Sequence, residues 1–387
     1  VHVATHFFHS GMLNAPVLSG TAGALLAVLD ACLVNGWGLA SVDSLVVSGG
    51  VATATISAGH SADVDVVVQI AGATPAGLNG LKRVTLKTNQ TVKFDATGIA
   101  DGAATGSITL KVAPVGWVKE FTGTNVAAYH SGDPSSTQMR ARVDDSATTY
   151  ARIIGYETMS DLDNGTNPFP TTLQISGGGV WHKSEAAGAT ARPWQVYADE
   201  KAFYLVVSAS ADAGTQRVYF FGDFVPASST DGFACGAFFS NSTSMTWNWL
   251  TSIFLANSVP EGNLVAARSY TGVPGAAWLY RHYDRLSPTA VGAVSGAAEG
   301  NVVPYPNPAD SGLLLSPLRV FESNGTLRGS FPGMYASPQV IPNASFSPMT
   351  RVQGVEGLPG RTLMAATGDK DSYQRGKVFF DATGPWR

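Results

Sequence analysis

The stretch RPWQVYADEKAFYLVVSASADAGTQRVYFFGDF, Arg192 to Phe224, decides the fold class. Aromatic and β-branched residues alternate there in the manner of strands, and turn chemistry breaks the runs. Trp194, Val196 and Ala198 alternate before Asp199-Glu200-Lys201, and Phe203, Leu205 and Val207 alternate after it, which predicts half-buried strands joined by a turn. A second break spans Ala209 to Gly214. Beyond it, Val218, Phe220 and Gly222 share one face while Tyr219 and Phe221 take the other, so this strand is expected to be covered on both sides.

Toward the N-terminus, residues 1–12 read as an arm and residues 13–116 as a small β-sandwich-like domain with one helix. Ser19-Gly20-Thr21 offers N-cap chemistry to a helix reaching about Val34. Leu25, Leu26, Leu29, Cys32 and Leu33 make its apolar stripe, and Asn35-Gly36 stops it. The stripe is wide enough to pack on a sheet, and the sheet is expected from the short segments that follow: 45–47, 51–56, 64–70, 84–86, 92–94 and 108–112. VTLKTNQTVKF is the clearest hairpin, with Val84 and Leu86 on one arm and Val92 and Phe94 on the other. Ala113-Pro114-Val115-Gly116 closes the domain as a linker.

Residues 117–387 read as a larger antiparallel β-sandwich or jelly-roll-like domain rich in aromatics. Arg140, Arg142 and Arg152 alternate with Met139, Ala141, Val143 and Ile153, as in strands with one wet face. Further strands are expected at 233–239, 246–255, 362–366 and 378–381. The Pro- and Gly-rich region 292–348 is expected to be mostly loop, with short strands at Leu313–Leu315 and Leu318–Phe321. No heptads and no fixed-period repeat occur.

Only 13% of the 387 residues are charged, against a usual share of about 25%. So bare a surface suits a subunit whose faces neighbours cover. A net charge of −4 with no basic run argues against a nucleic-acid groove. The longest apolar run, Ala22 to Val34, is broken by Asp30 and is too short for a membrane span. The sequence opens without the basic region and cleavage site of a signal peptide. Cys32 and Cys235 lie far apart and read as buried thiols rather than a disulfide framework.

Signals for a reaction are weak. Gly59-His60-Ser61-Ala62-Asp63 imitates a nucleophile elbow, but its last position is not Gly and no helix follows, so a plain turn is expected. Asp161-Leu162-Asp163-Asn164-Gly165 has the flavour of a calcium loop without the spacing of one, and Asp161 and Asp163 read as surface-loop residues. His2, His6 and His9 would align for a metal only on a helix, and their neighbours favour an extended segment. Glu157, Asp161, Asp163, Asp199, Glu200 and Asp223 supply carboxylates for glycan hydrolysis, as any β-protein would. Trp247 and Trp249, with Trp278, Tyr280 and Tyr283, form a candidate sugar-stacking or protein-binding platform, weighed against plain core packing. No catalytic, cofactor or metal site is assigned, and no cofactor is expected.

Several stretches resemble a family of tailed-bacteriophage and prophage virion structural proteins. They are APVLSGTAGALLAVLDACLVNGWG (15–38), HSADVDVVVQIAGATPAGLNGLKRVT (60–85), GWVKEFTGTNVAAY (116–129), RIIGYETMSDLDNGTNPFP (152–170), ARPWQVYADEKAFYL (191–205), FFGDF (220–224) and VVPYPNPADSGLLLSP (302–317). None is a catalytic motif. The resemblance implies a non-enzymatic virion subunit, in the tail or baseplate first, with capsid decoration or a receptor- or glycan-binding spike module as alternatives. Its implied partners are copies of itself, other virion proteins and a host surface glycan or receptor, with no nucleic acid and no membrane insertion. It also implies synthesis in the host cytoplasm and release by lysis.

Overall fold

A computed structural model describes residues 5–210, 216–245, 264–282, 304–337, 339, 341–342, 345–367 and 377–387. The chain is mainly β, as expected, and every strand pairing among the described residues is antiparallel. Strands Trp194–Ala198, Ala202–Val207 and Arg217–Asp223 pair in sequence order near one end of a long antiparallel sheet. On one side the sheet continues through Cys235–Phe238, Leu264–Ala266, Ala277–His282, Ser316–Glu322 and Leu327–Ala336 to Lys377–Asp381, and beyond it to Leu363–Thr367 and Arg351–Val352. On the other it ends at the arm strand His6–His9.

The expected turn at Asp199 is present. Its Oδ1 accepts from Lys201 N at 2.9 Å and Ala202 N at 2.8 Å. The expectation of half-buried strands needs correcting, because every residue of 194–198 and 202–207 is buried, Gln195, Tyr197, Tyr204 and Val206 included. Both faces are covered by aromatic contacts. On one face Phe203 meets Trp117 (centroids 5.1 Å) and Trp181 (5.9 Å), which bring a second sheet against it. On the other, Phe380 lies 4.6 Å from Tyr197 and 5.0 Å from Tyr204, and Phe331 lies 5.1 Å from Phe220. Each such fully buried ring contributes about 1.5–3 kcal/mol.

The second sheet has five strands, Val118–Gly123, Val126–His130, Arg140–Asp144, Tyr150–Tyr156 and Gly179–His182. Its strands at 140–144 and 150–156 alternate buried and half-buried residues, the one wet face that the alternating arginines indicate.

The helix begins later than the N-cap chemistry predicts and changes form midway. Ala24–Leu29 is α-helical and Asp30–Asn35 continues with π-type pairing. Ser19-Gly20 lies instead in a short strand, Leu18–Gly20, and Gly23 stands at the N-cap with φ +80° and no side-chain cap of its own. Asp145, from the second sheet, supplies the missing acceptor: its Oδ2 takes Leu25 N at 2.7 Å and Leu26 N at 3.3 Å. Gly36 ends the run at φ +67°, as the Asn-Gly signal indicates.

The helix also joins a different core from the one expected. Leu25, Leu26, Leu29 and Leu33 pack with Trp117, Tyr129 and Val143 in the main hydrophobic cluster. Strands between Trp37 and Val112 enclose a cluster of their own, built on Leu45, Val47, Val68, Val84, Phe94 and Leu110. The small sandwich is therefore 37–112, inserted into the larger body, rather than a helix-bearing domain of 13–116. Its two connections lie together, since Val115, Gly116 and Trp117 donate to the carbonyls of Cys32 and Leu33. A side chain at Gly36 would strike the Val112 carbonyl.

Within this sandwich the Gly80–Lys87 strand serves both sheets, pairing with Val67–Ala71 through its first half and Thr91–Asp95 through its second. A bulge between Val84 and Leu86 leaves Leu86 exposed while Val84 is buried. In the loop-rich region, Leu313–Leu315 is irregular and Leu327–Ala336 forms a ten-residue strand that its Pro and Gly content hides. Residues 292–303 and 246–255 lie outside the described residues.

Candidate recognition surface

Arg328 sits on the ten-residue strand with a side chain that is 0% exposed. A guanidinium has five N–H donors, and each finds an acceptor here. Nε and Nη2 grip the Asp231 carboxylate at 2.8 and 3.0 Å. Nη1 donates to Glu322 Oε1 at 2.7 Å and to the Arg268 carbonyl at 2.9 Å, and Nη2 reaches the Phe233 carbonyl at 3.3 Å. Glu322 Oε1 in turn accepts from the backbone of Tyr270. A second arginine extends the network. Arg268 pairs bidentately with Glu157, donates to the Gly272 carbonyl at 2.9 Å and stacks 4.4 Å over Phe233. Its hydrogen bonds, with one from Asn167 at 2.8 Å, hold the Glu157 carboxyl below its ordinary value and outweigh burial.

Four connections that are remote in sequence are thereby fixed to one another: residues 157–175, 228–233, 268–276 and 322–327. Gln174 adds a bond from Nε2 to the Ala276 carbonyl at 2.9 Å. The outer surface of these loops carries Leu173 at 100%, Val273 at 61% and Tyr270 at 42% exposure, beside the exposed Ser229, Thr230, Thr271 and Asn324. The charged groups of the network, Arg268 and Arg328 with Glu157, Asp231 and Glu322, face inward and are paired. The exposed positions of 228–233, 268–276 and 322–327 are apolar, hydroxyl and amide, a chemistry suited to a neutral partner such as a protein surface or uncharged glycan, while 157–175 also exposes the carboxylates Asp161 and Asp163. Rigid loops on a stiff sheet lose little freedom on binding.

The predicted platform only partly coincides with this surface. Trp278 is in the strand that leaves loop 268–276, half buried against the main core opposite Val265, so it serves packing more than display. Tyr280 lies two residues on, opposite Phe321. Trp247, Trp249 and Tyr283 lie outside the described residues.

The other candidates each have a local explanation. Asp161 Oδ1 accepts from Asp163 N, Asn164 N and Asn164 Nδ2, all at 2.9 Å, so the turn itself fills the carboxylate. Asp163 receives Arg142 at 3.3 Å. Asp199 Oδ2 accepts from Arg387 at 2.7 Å, and Asp223 accepts from Thr137 N at 2.9 Å while burial raises its carboxyl. Burial raises Glu200 as well. Ser61 is buried in a loop that leads to no helix. His6 and His9 face opposite ways on an extended strand, stacking on Phe8 and Phe7 respectively, and His2 lies outside the described residues. Among the described residues no three His, Cys, Asp or Glu side chains gather as metal ligands. Both cysteines are buried and unlinked.

Sequence reasoning missed the arginine network altogether. Asp231 and Arg328 are 97 residues apart and Glu157 and Arg268 are 111 apart, and no local pattern marks either pair. Compared with models of known protein families and with curated proteins, the chain matches none.

Proposed function

We propose that this chain belongs to the class of non-enzymatic structural subunits that hold a rigid β-scaffold within an assembly. More particularly, we read it as a component of a tailed-bacteriophage virion, in the tail or baseplate. The resemblance set out above supports the virion reading. The observation that carries the structural role is the use of buried charge as internal fastening: Arg328 with Asp231 and Glu322, and Arg387 with Asp199. Groups tied in this way stiffen a fold and offer little to a substrate. The inserted sandwich 37–112, joined to the body by adjacent connections, is a natural docking element. The test is to excise 37–112, bridge the neck with a short Gly-Ser linker, and measure incorporation into particles by mass spectrometry of purified virions. Loss of incorporation with the remaining body still folded supports the reading. Absence of the unaltered chain from purified particles overturns it.

A second reading rests on the loop surface. Exposed Leu173, Tyr270 and Val273 on loops locked from beneath are what a receptor- or glycan-binding module presents. It predicts adsorption of the isolated protein to host cells.

A further inference from the structure

We propose that Lys183 and Asp145 become joined by an intramolecular isopeptide bond, formed from the two side chains with loss of one water. The proposal is independent of the functional reading above. Both side chains are 0% exposed, and Lys183 Nζ is in direct contact with Asp145 Oδ1. The residues stand just past strands Arg140–Asp144 and Gly179–His182, with Tyr150–Tyr156 paired between those strands. Their backbones are pinned as well. Asp145 N donates to the Asn125 carbonyl at 2.8 Å, Gly23 N to the Asp145 carbonyl at 3.0 Å, and Lys183 N to the Thr149 carbonyl at 2.9 Å. Two reacting groups held in this way react as though at very high concentration.

The partners around the pair match an amide better than an ion pair. An ammonium carries three protons, and among the described residues Lys183 Nζ has two acceptors, Asp145 Oδ1 and the Thr21 carbonyl at 2.6 Å. A secondary amide has one N–H and one carbonyl. The Thr21 carbonyl would take that N–H, and Leu25 N and Leu26 N already donate to Oδ2, which would become the carbonyl oxygen. Every polar atom of the product is thus satisfied where it stands.

The step balances without a co-reactant. One ammonium proton crosses to Oδ1, leaving a neutral amine and a neutral carboxyl group. The amine lone pair attacks Cγ and the Nζ–Cγ bond forms. Negative charge collects on Oδ2, where the two backbone N–H groups stabilise it. A second proton passes from Nζ to Oδ1, the Cγ–Oδ1 bond breaks and water leaves, so the ion pair has become an amide and one water. Burial favours the neutral forms that react, raising the Asp145 carboxyl and lowering the Lys183 amine.

The experiment is intact-mass spectrometry of the full chain, unfolded in denaturant, beside a Lys183→Met variant. The unaltered chain is expected to be lighter than its sequence by one water, and protease digestion should release a branched peptide joining the segments around 145 and 183. Lys183→Met should show its full sequence mass whether or not it folds. An unaltered chain at full sequence mass overturns the proposal. So does a water loss that persists in Lys183→Met, which would mark dehydration at Asp145-Ser146 instead.

Discussion

Arg83 Nη2 donates to the Thr5 carbonyl at 2.8 Å, joining the inserted sandwich to the segment that leads into the arm strand. The same guanidinium reaches the carbonyls of Asp65 at 2.7 Å and of Ala382 and Thr383 at 3.0 Å. One side chain therefore clasps three segments of chain.

Replacing Arg83 by Met strips four carbonyls of a charged donor and is expected to cost about 2–4 kcal/mol. Urea unfolding measures it. A midpoint equal to that of the unaltered protein would show that the clasp is dispensable.

Deletions on either side of the neck should behave differently. Removing 1–35 takes away the arm strand and the leucines at 25, 26, 29 and 33, each contributing about 1.5–3 kcal/mol to the main core. That sum approaches the whole stability of a typical domain, about 5–15 kcal/mol. This truncation should show no cooperative melt, whereas excision of 37–112 should keep one at a lower temperature. The opposite order in circular dichroism melts would refute the inserted arrangement.

Arg328→Met leaves Asp231 and Glu322 buried without their cation, at an expected cost of about 3–5 kcal/mol. Limited proteolysis should then cut within 157–175, 228–233 or 268–276, where the unaltered protein is expected to resist. Unchanged cleavage would mean that the network does not hold the loops.

Burial lowers two histidines, His6 and His182, to about 3 from an ordinary value of 6.5. The unfolded chain binds protons there that the folded chain refuses, so stability rises with pH across this window and is lost as pH falls from 6.5 toward 3. Each contributes a slope of on the order of 1.4 kcal/mol per pH unit. Urea midpoints at pH values spanning the window should fall on acidification, and the fall should be shallower in His182→Leu. Parallel slopes in the two proteins would remove His182 from the account.

The combined change Leu173→Asp, Tyr270→Ala and Val273→Asp alters only exposed positions and should leave stability within about 0.5 kcal/mol. If the loop surface binds host cells, adsorption of the isolated protein is lost with it. Full adsorption by the triple variant would place binding elsewhere.

What the sequence determined by itself was local. Alternation from Trp194 to Phe224, the turn at Asp199 and the helix stop at Asn35-Gly36 depend on backbone preferences and short-range periodicity, and these are written in neighbouring residues. Long-range competition was decided only in three dimensions. The helix stripe states that a partner sheet exists without saying which, and packing chose the sheet of 118–182 over the nearer one of 37–112. Asp145 caps that helix from 120 residues away, displacing the local Ser-Gly-Thr signal. Gln195 and Tyr204 alternate as if wet, yet a second layer covers them. The arginine network lies furthest from anything a sequence displays. Its charges become partners only when strands remote in the chain bring four loops together, and until then each reads as an ordinary solvated residue.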